Sequence, residues 1–156
     1  MFFTVCPTVS PNYRLVDGHC YYIESVQQSS YETAQAGCVG KFPKGGRLFE
    51  PQSIEINEKV MIASREIVSG PAYFYIGVKR SETVGSDYKL VSSSVPVPFA
   101  ITWHPSAPST VSSHQCVYAR NGDNFYWDDQ TCFLTLYAIC ESVAHDMDLS
   151  DIKVRT

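Results

Sequence analysis

Six cysteines constrain the fold of this 156-residue chain more than any other feature of its sequence: Cys6, Cys20, Cys38, Cys116, Cys132 and Cys140. The count is even, there is no Cys-x-x-Cys pair, and no histidine stands at zinc-finger spacing. We therefore expect disulfides rather than zinc, and a secreted or extracellular protein, since disulfides persist in oxidising compartments. Six cysteines allow about 15 pairings, so spacing alone does not choose one. The alternative is a cytosolic protein with free, buried thiols.

Length and composition predict one domain over residues 1–156. With 44% hydrophobic and 13% aromatic residues the chain can bury a core, and its length leaves no room for a second domain of usual size. The net charge of -4, with no basic stripe, argues against nucleic acid or an anionic membrane as a partner. No apolar run approaches the roughly 18 residues of a membrane span, so we expect no membrane insertion. The first five residues are too short for a secretory signal, and we interpret them as the start of a mature or recombinant form.

The N-terminal part of the sequence predicts a hairpin and then a helix. A turn at Asp17-Gly18 separates two β-prone runs within residues 13–23. Ser29 followed by Glu32 has the spacing of a capping box, with Ser29 as the N-cap of a short helix. We expect that helix to end near Gly40.

The middle of the chain predicts a second helix and then short strands. This helix starts at Ser53, carries its apolar face as far as Ile67, and is stopped by the Ser-Gly-Pro sequence at residues 69–71. After it the helical period disappears, and the apolar and aromatic runs are typical of a sheet. The expected strands cover residues 74–78, 117–118, 125–127 and 136–140.

Between residues 85 and 116 the sequence is rich in Ser, Pro, Val and Thr and has little periodicity. An irregular segment of this length within one domain is usually a functional loop or a disordered linker. Phe99, Ile101 and Trp103 alternate as in a buried strand, which favours an ordered loop. Its prolines stiffen it by fixing φ.

Several short motifs are spread along the chain: Cys20-Tyr-Tyr, Gly46-Arg-Leu48, Tyr75-Ile-Gly77, Trp103, Trp127-Asp-Asp and the final Cys140. As a set they resemble the long, six-cysteine form of the C-type lectin-like domain over about residues 6–141, with 142–156 as a C-terminal tail. The resemblance implies an α+β fold in which two helices pack on small antiparallel sheets beside a long irregular binding loop. It also implies a disulfide pairing: Cys6 with Cys20, Cys38 with Cys140, and Cys116 with Cys132.

The calcium-site motifs of that family are altered in this sequence. Where calcium-dependent members carry a triplet such as Glu-Pro-Asn, this chain has Ala107-Pro108-Ser109, and the Glu expected two residues before the fourth cysteine is His114. The Trp-Asn-Asp motif becomes Trp127-Asp128-Asp129. Calcium needs about six to eight oxygens, and imidazole is a poor ligand for it. A secondary calcium position matches Arg80, Val84, Thr110 and Gln115 and fits no better. We therefore expect an atypical member with no calcium site and no cofactor.

Neither an enzyme nor a zinc centre is favoured. The sequence has no Gly-rich phosphate loop, no Gly-x-Ser-x-Gly elbow and no His-Glu-x-x-His motif, so we expect no catalytic activity. Two histidines and an aspartate, His104, His114 and Asp128, would suit zinc if they converged. Their spacing does not predict convergence, and surface histidines are the alternative. His19 and His145 are given no role.

Binding is the expected function. Tyr rings can stack on sugars while hydroxyl, carboxylate and imidazole groups meet their hydroxyls, and N-acetylated sugars suit this chemistry. The expected carbohydrate-binding residues are His104, Ser109, His114, Tyr118, Tyr126 and Asp128. We thus predict a secreted, calcium-independent lectin of innate recognition type that binds glycans or glycoproteins. The alternative is a lectin-like domain that binds a protein partner or assembles with its own copies, and a more remote one is binding to ice or a biomineral.

The chain lacks an Asn-x-Ser/Thr acceptor, so no N-glycan should mask its own site. The tail after Glu141 could be a loose terminus or an assembly arm. A homo-oligomer would suit a lectin, because several linked sites compensate for weak affinity at each one.

Overall fold

The computed structural model describes residues 5–144, which form two helices and eight strands with one 3-10 turn. The elements are β1 Tyr13–Val16, β2 His19–Gln28, α1 Tyr31–Val39, β3 Gly46–Leu48, α2 Ile54–Ser64, β4 Tyr73–Lys79, β5 Lys89–Leu90, β6 Cys116–Arg120, the 3-10 turn Asp123–Phe125, β7 Trp127–Gln130 and β8 Leu136–Ser142. His145 and most of the predicted tail lie outside the described residues. Within residues 5–144, none of the helices has both the length and the apolar character of a membrane span.

The predicted N-terminal hairpin is confirmed. Strands β1 and β2 pair antiparallel, with Val16 opposite His19 across the turn. Asp17 and Gly18 have φ values of 50° and 81°, the two left-handed conformations that a two-residue hairpin turn requires. The sequence Asp-Gly therefore sets the register of the first two strands.

Helix α1 begins one residue later than predicted. Its N-cap is Ser30, which has an extended backbone and whose Oγ accepts the Thr33 N–H at 3.1 Å. Ser29 was the wrong choice of cap, and Glu32 consequently lies at the second helical position rather than the third. The helix ends at Gly40 as expected.

Helix α2 begins as predicted but ends earlier. Its N-cap is Ser53, whose Oγ accepts the Ile56 N–H at 3.1 Å. The last helical residue is Ser64, so Ile67 lies in the turns that follow rather than on the helix. Ile67 still packs against the main core, which is why its apolar spacing resembled a continuation of the helix.

The strands follow the order β1-β2-β8-β4-β6-β7, with β3 also paired to β8 and β5 to β4. Every pairing is antiparallel except that of β4 with β8, which joins two antiparallel groups into one sheet. The expected α+β fold, with two helices on antiparallel strands beside a long loop, is confirmed. Strand β7 covers Trp127–Gln130 rather than the expected 125–127. Left-handed φ values of 45°, 65° and 57° at Asp123, Asn124 and Phe125 exclude those residues from a strand.

Three disulfides join the pairs that the resemblance implied, and all six cysteines are used. The bridge from Cys38 to Cys140 links α1 to β8 across 102 residues of sequence. In a chain-entropy account, a loop of that length stabilises the fold by about 4 to 5 kcal/mol. The other two bridges close local loops, at the start of the hairpin and between β6 and the residues after β7.

Strand β4 divides the core into two clusters. Phe74, Ile76 and Val78 face a larger cluster that includes Trp127, while Tyr75 faces a smaller one around α1. The backbone of β4 also approaches its neighbours closely. A Cβ on Gly77 would lie 2.8 Å from the backbone carbonyl oxygen of Leu48 and 2.7 Å from Glu50 Cγ, so only glycine fits there.

The long segment between β5 and β6 is ordered against this core. Its half-buried side chains Phe99, Ile101 and Trp103 pack on the larger cluster, as their alternation predicted. They do not form a strand: Trp103 makes one isolated bridge to Trp127. The loop therefore follows the edge of the core instead of extending the sheet.

Candidate functional site

Strand alternation separates the two adjacent aspartates of β7. Asp128 pairs with Tyr118 of β6, whereas Asp129 pairs with the buried Val117. Because successive side chains in a strand point to opposite faces, the two carboxylates lie in different surroundings. Asp128 is half-buried beside Tyr118, and Asp129 is only 1% exposed beneath the long loop.

The Asp128 carboxylate is held by two donors. The Tyr118 hydroxyl donates to Oδ2 at 2.8 Å, and the backbone N–H of Asp129 donates to Oδ1 at 2.8 Å. Burial, and then the neighbouring Asp128, raise the pKa of Tyr118 well above its usual value, so its hydroxyl remains a donor at neutral pH. The carboxylate thus keeps a fixed orientation.

Aromatic rings surround this carboxylate. The ring of Tyr118 meets that of Tyr73 edge to face at a centroid distance of 5.1 Å, and His104 meets Tyr126 in the same way at 6.0 Å. The six side chains that line a cavity of about 70 Å³ are Tyr73, His104, Tyr118, Arg120, Tyr126 and Asp128. We call this cavity the tyrosine pocket.

His104 is oriented by its own loop. Its backbone N–H donates to the Trp127 carbonyl at 2.8 Å, and its ring Nδ1 accepts the Ser106 N–H at 3.1 Å. Since Nδ1 is the acceptor, the neutral ring carries its proton on Nε2, which is then available to an incoming acceptor.

Tyr73 and Arg120 join the pocket although neither was predicted. They are cross-strand partners in β4 and β6, and the Arg120 guanidinium lies 5.3 Å from the centre of the Tyr73 ring. Its Nη2 is 2.7 Å from Asp123, while its buried Nε has no hydrogen-bond partner among residues 5–144. Tyr118 and Arg120 are two residues apart in one strand, so the sequence alone could have predicted that both lie on this face. The position of Tyr73 depends on how β4 pairs with β6, which the sequence does not give.

The other two predicted site residues lie in a different environment. Ser109 Oγ and His114 Nδ1 are 2.9 Å apart, and Ser109 Oγ also accepts the Val111 N–H at 3.0 Å. Ser109 lines a separate loop cavity of about 320 Å³ with Tyr88 and Trp103. The structure therefore brings together four of the six predicted residues, with Ser109 and His114 outside the tyrosine pocket.

The residues at the calcium positions implied by the family do not fit that ion. Both Asp129 oxygens accept the Ser109 N–H, at 2.8 and 2.9 Å, and Oδ2 also accepts the Tyr88 hydroxyl at 2.6 Å. Ala107 offers no ligand atom. Since calcium needs several free oxygens, a carboxylate already surrounded by donors does not provide its cage. Among residues 5–144, no three His, Cys, Asp or Glu side chains are grouped closely enough to hold a metal, so the structure does not bring His104, His114 and Asp128 together.

A further charged cluster lines a cavity of about 470 Å³ near the hairpin turn and the end of β8. Arg47 Nη2 lies 2.9 Å from Oε2 of Glu141, and Ser92 donates to the buried Glu50. Burial raises the pKa of Glu141 to about 7 in spite of Arg47. Arg47 Nε also lies 3.9 Å from Glu50 Oε2, so two carboxylates share one guanidinium, an arrangement that no motif in the sequence predicted.

Comparison with known proteins agrees with this architecture. The family model described as the Lectin C-type domain matches residues 27–142. A tetranectin-like protein of Carcharhinus perezii is 26% identical over 120 residues, which are 77% of this chain and 69% of that protein. Mouse collectin-10 is 29% identical over 124 residues, covering 79% of this chain but 41% of the relative.

Solved structures show the same fold. A calcium-independent type II antifreeze protein is 26% identical, with a TM-score of 0.68 over 88% of this chain and 93% of that one. Human lithostathine has a TM-score of 0.70 at 18% identity, over 86% of this chain and 90% of its own. The lectin CEL-I of Cucumaria echinata has a TM-score of 0.69 at 17% identity, over 85% and 96%. From the matched residues, the three disulfides and the shared fold, this chain belongs to the C-type lectin domain family.

Proposed function

We propose that this domain binds carbohydrate without calcium, through the tyrosine pocket. The observation that supports the proposal is the convergence of three tyrosines with an oriented carboxylate, an arginine and an imidazole at one cavity. An aromatic wall with a few fixed polar groups is the usual composition of a small-molecule site. Sugars match it because their C–H faces pack on rings while their hydroxyls need both donors and acceptors.

Each side chain has a distinct proposed role. Asp128, whose oxygens face Tyr118 and the Asp129 N–H, has remaining acceptor capacity for a sugar hydroxyl. Arg120 and the Nε2 of His104 supply donors for a hydroxyl or an acetamido carbonyl. Tyr126 offers a half-buried ring for stacking. The pocket thus suits a neutral sugar or an N-acetylated one.

The size of the pocket implies a shallow mode of binding. Its volume of about 70 Å³ is below the roughly 300 to 1,000 Å³ typical of pockets that enclose a drug-sized ligand. One edge or one substituent of a terminal sugar would enter, and most of the glycan would stay in solvent. Affinity at one site would be weak, so we propose that the protein acts in multivalent form, as an extracellular protein consistent with its three disulfides.

A glycan array run in chelator tests this proposal. We expect binding that persists in chelator and that free sugar competes away. Tyr126→Ala should abolish this binding and leave the melting temperature nearly unchanged, because a half-buried ring at a cavity edge leaves little void when removed. Phe133→Ala is the matched control, since this aromatic side chain is 81% exposed and does not line the pocket. Equal sugar binding by both variants and the parent would contradict the assignment.

Ice binding is a second candidate, favoured by two observations. The chain is 26% identical to a calcium-independent type II antifreeze protein, and the long loop exposes Thr110, Ser112 and Ser113. Measuring the thermal hysteresis of a concentrated solution tests ice binding, since only a protein that binds ice separates the freezing point from the melting point. A silent array together with no hysteresis would leave the protein-partner alternative.

A further inference from the structure

Arg80 is an unusual residue to find almost completely buried. It follows directly after β4, where the chain enters the long loop, and it is only 4% exposed. A guanidinium removed from water is costly unless its donors are paired and its charge is balanced. The surroundings of Arg80 meet both conditions.

The donors of Arg80 hold backbone carbonyls from both ends of the loop. Nη1 donates to Ser81 at 2.8 Å, on the departing chain. Nη2 donates to Val111 at 2.8 Å and to His114 at 2.6 Å, on the returning chain. The backbone N–H of Arg80 adds a bond to the Gln115 carbonyl at 3.0 Å. One side chain thus closes a segment of more than thirty residues.

The charge of Arg80 is balanced through a tyrosine. Nε donates to the Tyr88 hydroxyl at 3.3 Å, and that hydroxyl donates to Asp129 at 2.6 Å. Burial, and then the bond to Asp129, raise the pKa of Tyr88, so the hydroxyl stays protonated and links the two charges. Asp129 in turn accepts the Ser109 N–H, which fixes the part of the loop that returns towards β6.

Proteins bind hard metal cations with the same groups that surround Arg80, namely backbone carbonyl oxygens and a nearby carboxylate. We propose that Arg80 performs the structural role of a loop metal ion, as a covalently attached cation that keeps the long loop assembled without metal. Asp129, at one of the positions expected to bind calcium, instead accepts from Ser109 and from Tyr88, and Tyr88 in turn accepts from Arg80. The proposal does not depend on which ligand the domain binds.

Hydrogen exchange of the loop amides tests the role of the charge. Arg80→Met keeps a long side chain without the cation, and Arg80→Lys restores a cation with fewer donors. We expect exchange of the Ser109 and His114 amides to accelerate about ten- to a hundredfold in the Met variant, as expected for lost hydrogen bonds to a charged group. The Lys variant should lie between it and the parent, while amides of β6 stay protected.

Arg65→Met is the matched control, because the Arg65 Nε also donates to a backbone carbonyl, that of Asn121, outside the long loop. It should leave exchange at Ser109 and His114 unchanged. Equal exchange in the Met and Lys variants would overturn the proposal, since packing and not charge would then hold the loop.

Metal addition gives a second test that needs no variant to fold. The parent protein should melt at the same temperature in millimolar calcium and in chelator, because ligand binding stabilises only where an affinity for the folded state exists. A calcium-dependent rise of several degrees would also overturn the proposal. Neither experiment uses sugar, so failure of the glycan assignment would leave this result interpretable.

Discussion

At the scale of single residues, the same side-chain type has different roles on the two faces of β7. Asp128 remains half-buried beside Tyr118 and has acceptor capacity to spare. Asp129 is buried, and its oxygens are already used by Ser109 and Tyr88. Adjacent acidic residues in a strand therefore do not constitute one acidic site.

A substitution at Asp128 should separate binding from folding. Asp128→Asn keeps the shape and one acceptor oxygen but removes the charge, so we expect about a tenfold or greater loss of sugar affinity, since a hydrogen bond to a charged group contributes about 1.5 to 3 kcal/mol. The melting temperature should change little, because the position is half-buried. Titration of the immobilised glycan and thermal unfolding measure the two effects. Unchanged affinity would remove Asp128 from the site.

Glu141 should make stability depend on pH. Its folded pKa of about 7 is above its ordinary value of 4.5, so the folded state favours the protonated form. The stabilisation is complete below pH 4.5 and is lost as the pH rises through 7. Between pH 4.5 and 7 the unfolding free energy should fall by about 2 to 3 kcal/mol from this group. In the Glu141→Gln variant, urea unfolding should show a smaller fall of the unfolding free energy over this pH range, while Arg47 stays close to Glu50. The same pH dependence of stability in the parent and the variant would contradict this role of Glu141.

At the scale of elements, helix starts depend on which side chain reaches the free backbone donors. Ser29 and Ser30 are adjacent and both lie near Thr33. Only the Ser30 Oγ accepts the Thr33 N–H, and it does so from an extended backbone. A difference of one position in the sequence therefore decides which serine caps the helix.

The two serines provide a direct test of capping. Ser30→Ala should reduce the unfolding free energy by about 1 kcal/mol, the usual cost of losing an N-cap. Ser29→Ala should change it by less than about 0.5 kcal/mol, since Ser29 is exposed and its Oγ is bonded to the Thr33 hydroxyl at a long 3.4 Å. Chemical denaturation of both variants gives the comparison. Equal losses would show that the cap assignment is wrong.

At the scale of the whole molecule, the two ends of the fold are tied by one disulfide. The bridge between Cys38 and Cys140 spans 102 residues and joins the first helix to the last strand. The bridge between Cys6 and Cys20 spans 14 residues and closes only the hairpin region. The long bridge removes more freedom from the unfolded chain.

Removing each bridge should therefore cost different amounts. Replacement of both Cys38 and Cys140 by Ala should lower the unfolding free energy by about 4 to 5 kcal/mol, against about 3 kcal/mol for the Cys6 and Cys20 pair. Denaturant unfolding under non-reducing conditions measures both. An equal or larger loss from the short bridge would contradict the entropic explanation.

Much of the architecture was predictable from local chemistry. Asp17-Gly18 sets a hairpin because two left-handed residues are needed there, and Ser53 starts a helix because it can cap one. The cysteine pairing followed from the family resemblance rather than from spacing. The long loop was also expected, although the packing of Phe99 and Ile101 was right while their strand was not.

The sequence by itself determined which elements form, because caps, turns and apolar alternation act between residues close in the chain. Only the tertiary structure decided the composition of the candidate sites. Tyr73 reaches Tyr118 through the register of β4 with β6, and His114 lies with Ser109 and not with Tyr126. Arg80 holds carbonyls about thirty residues away. Such contacts depend on how the sheet and the loop pack, and no local pattern encodes that distance in space.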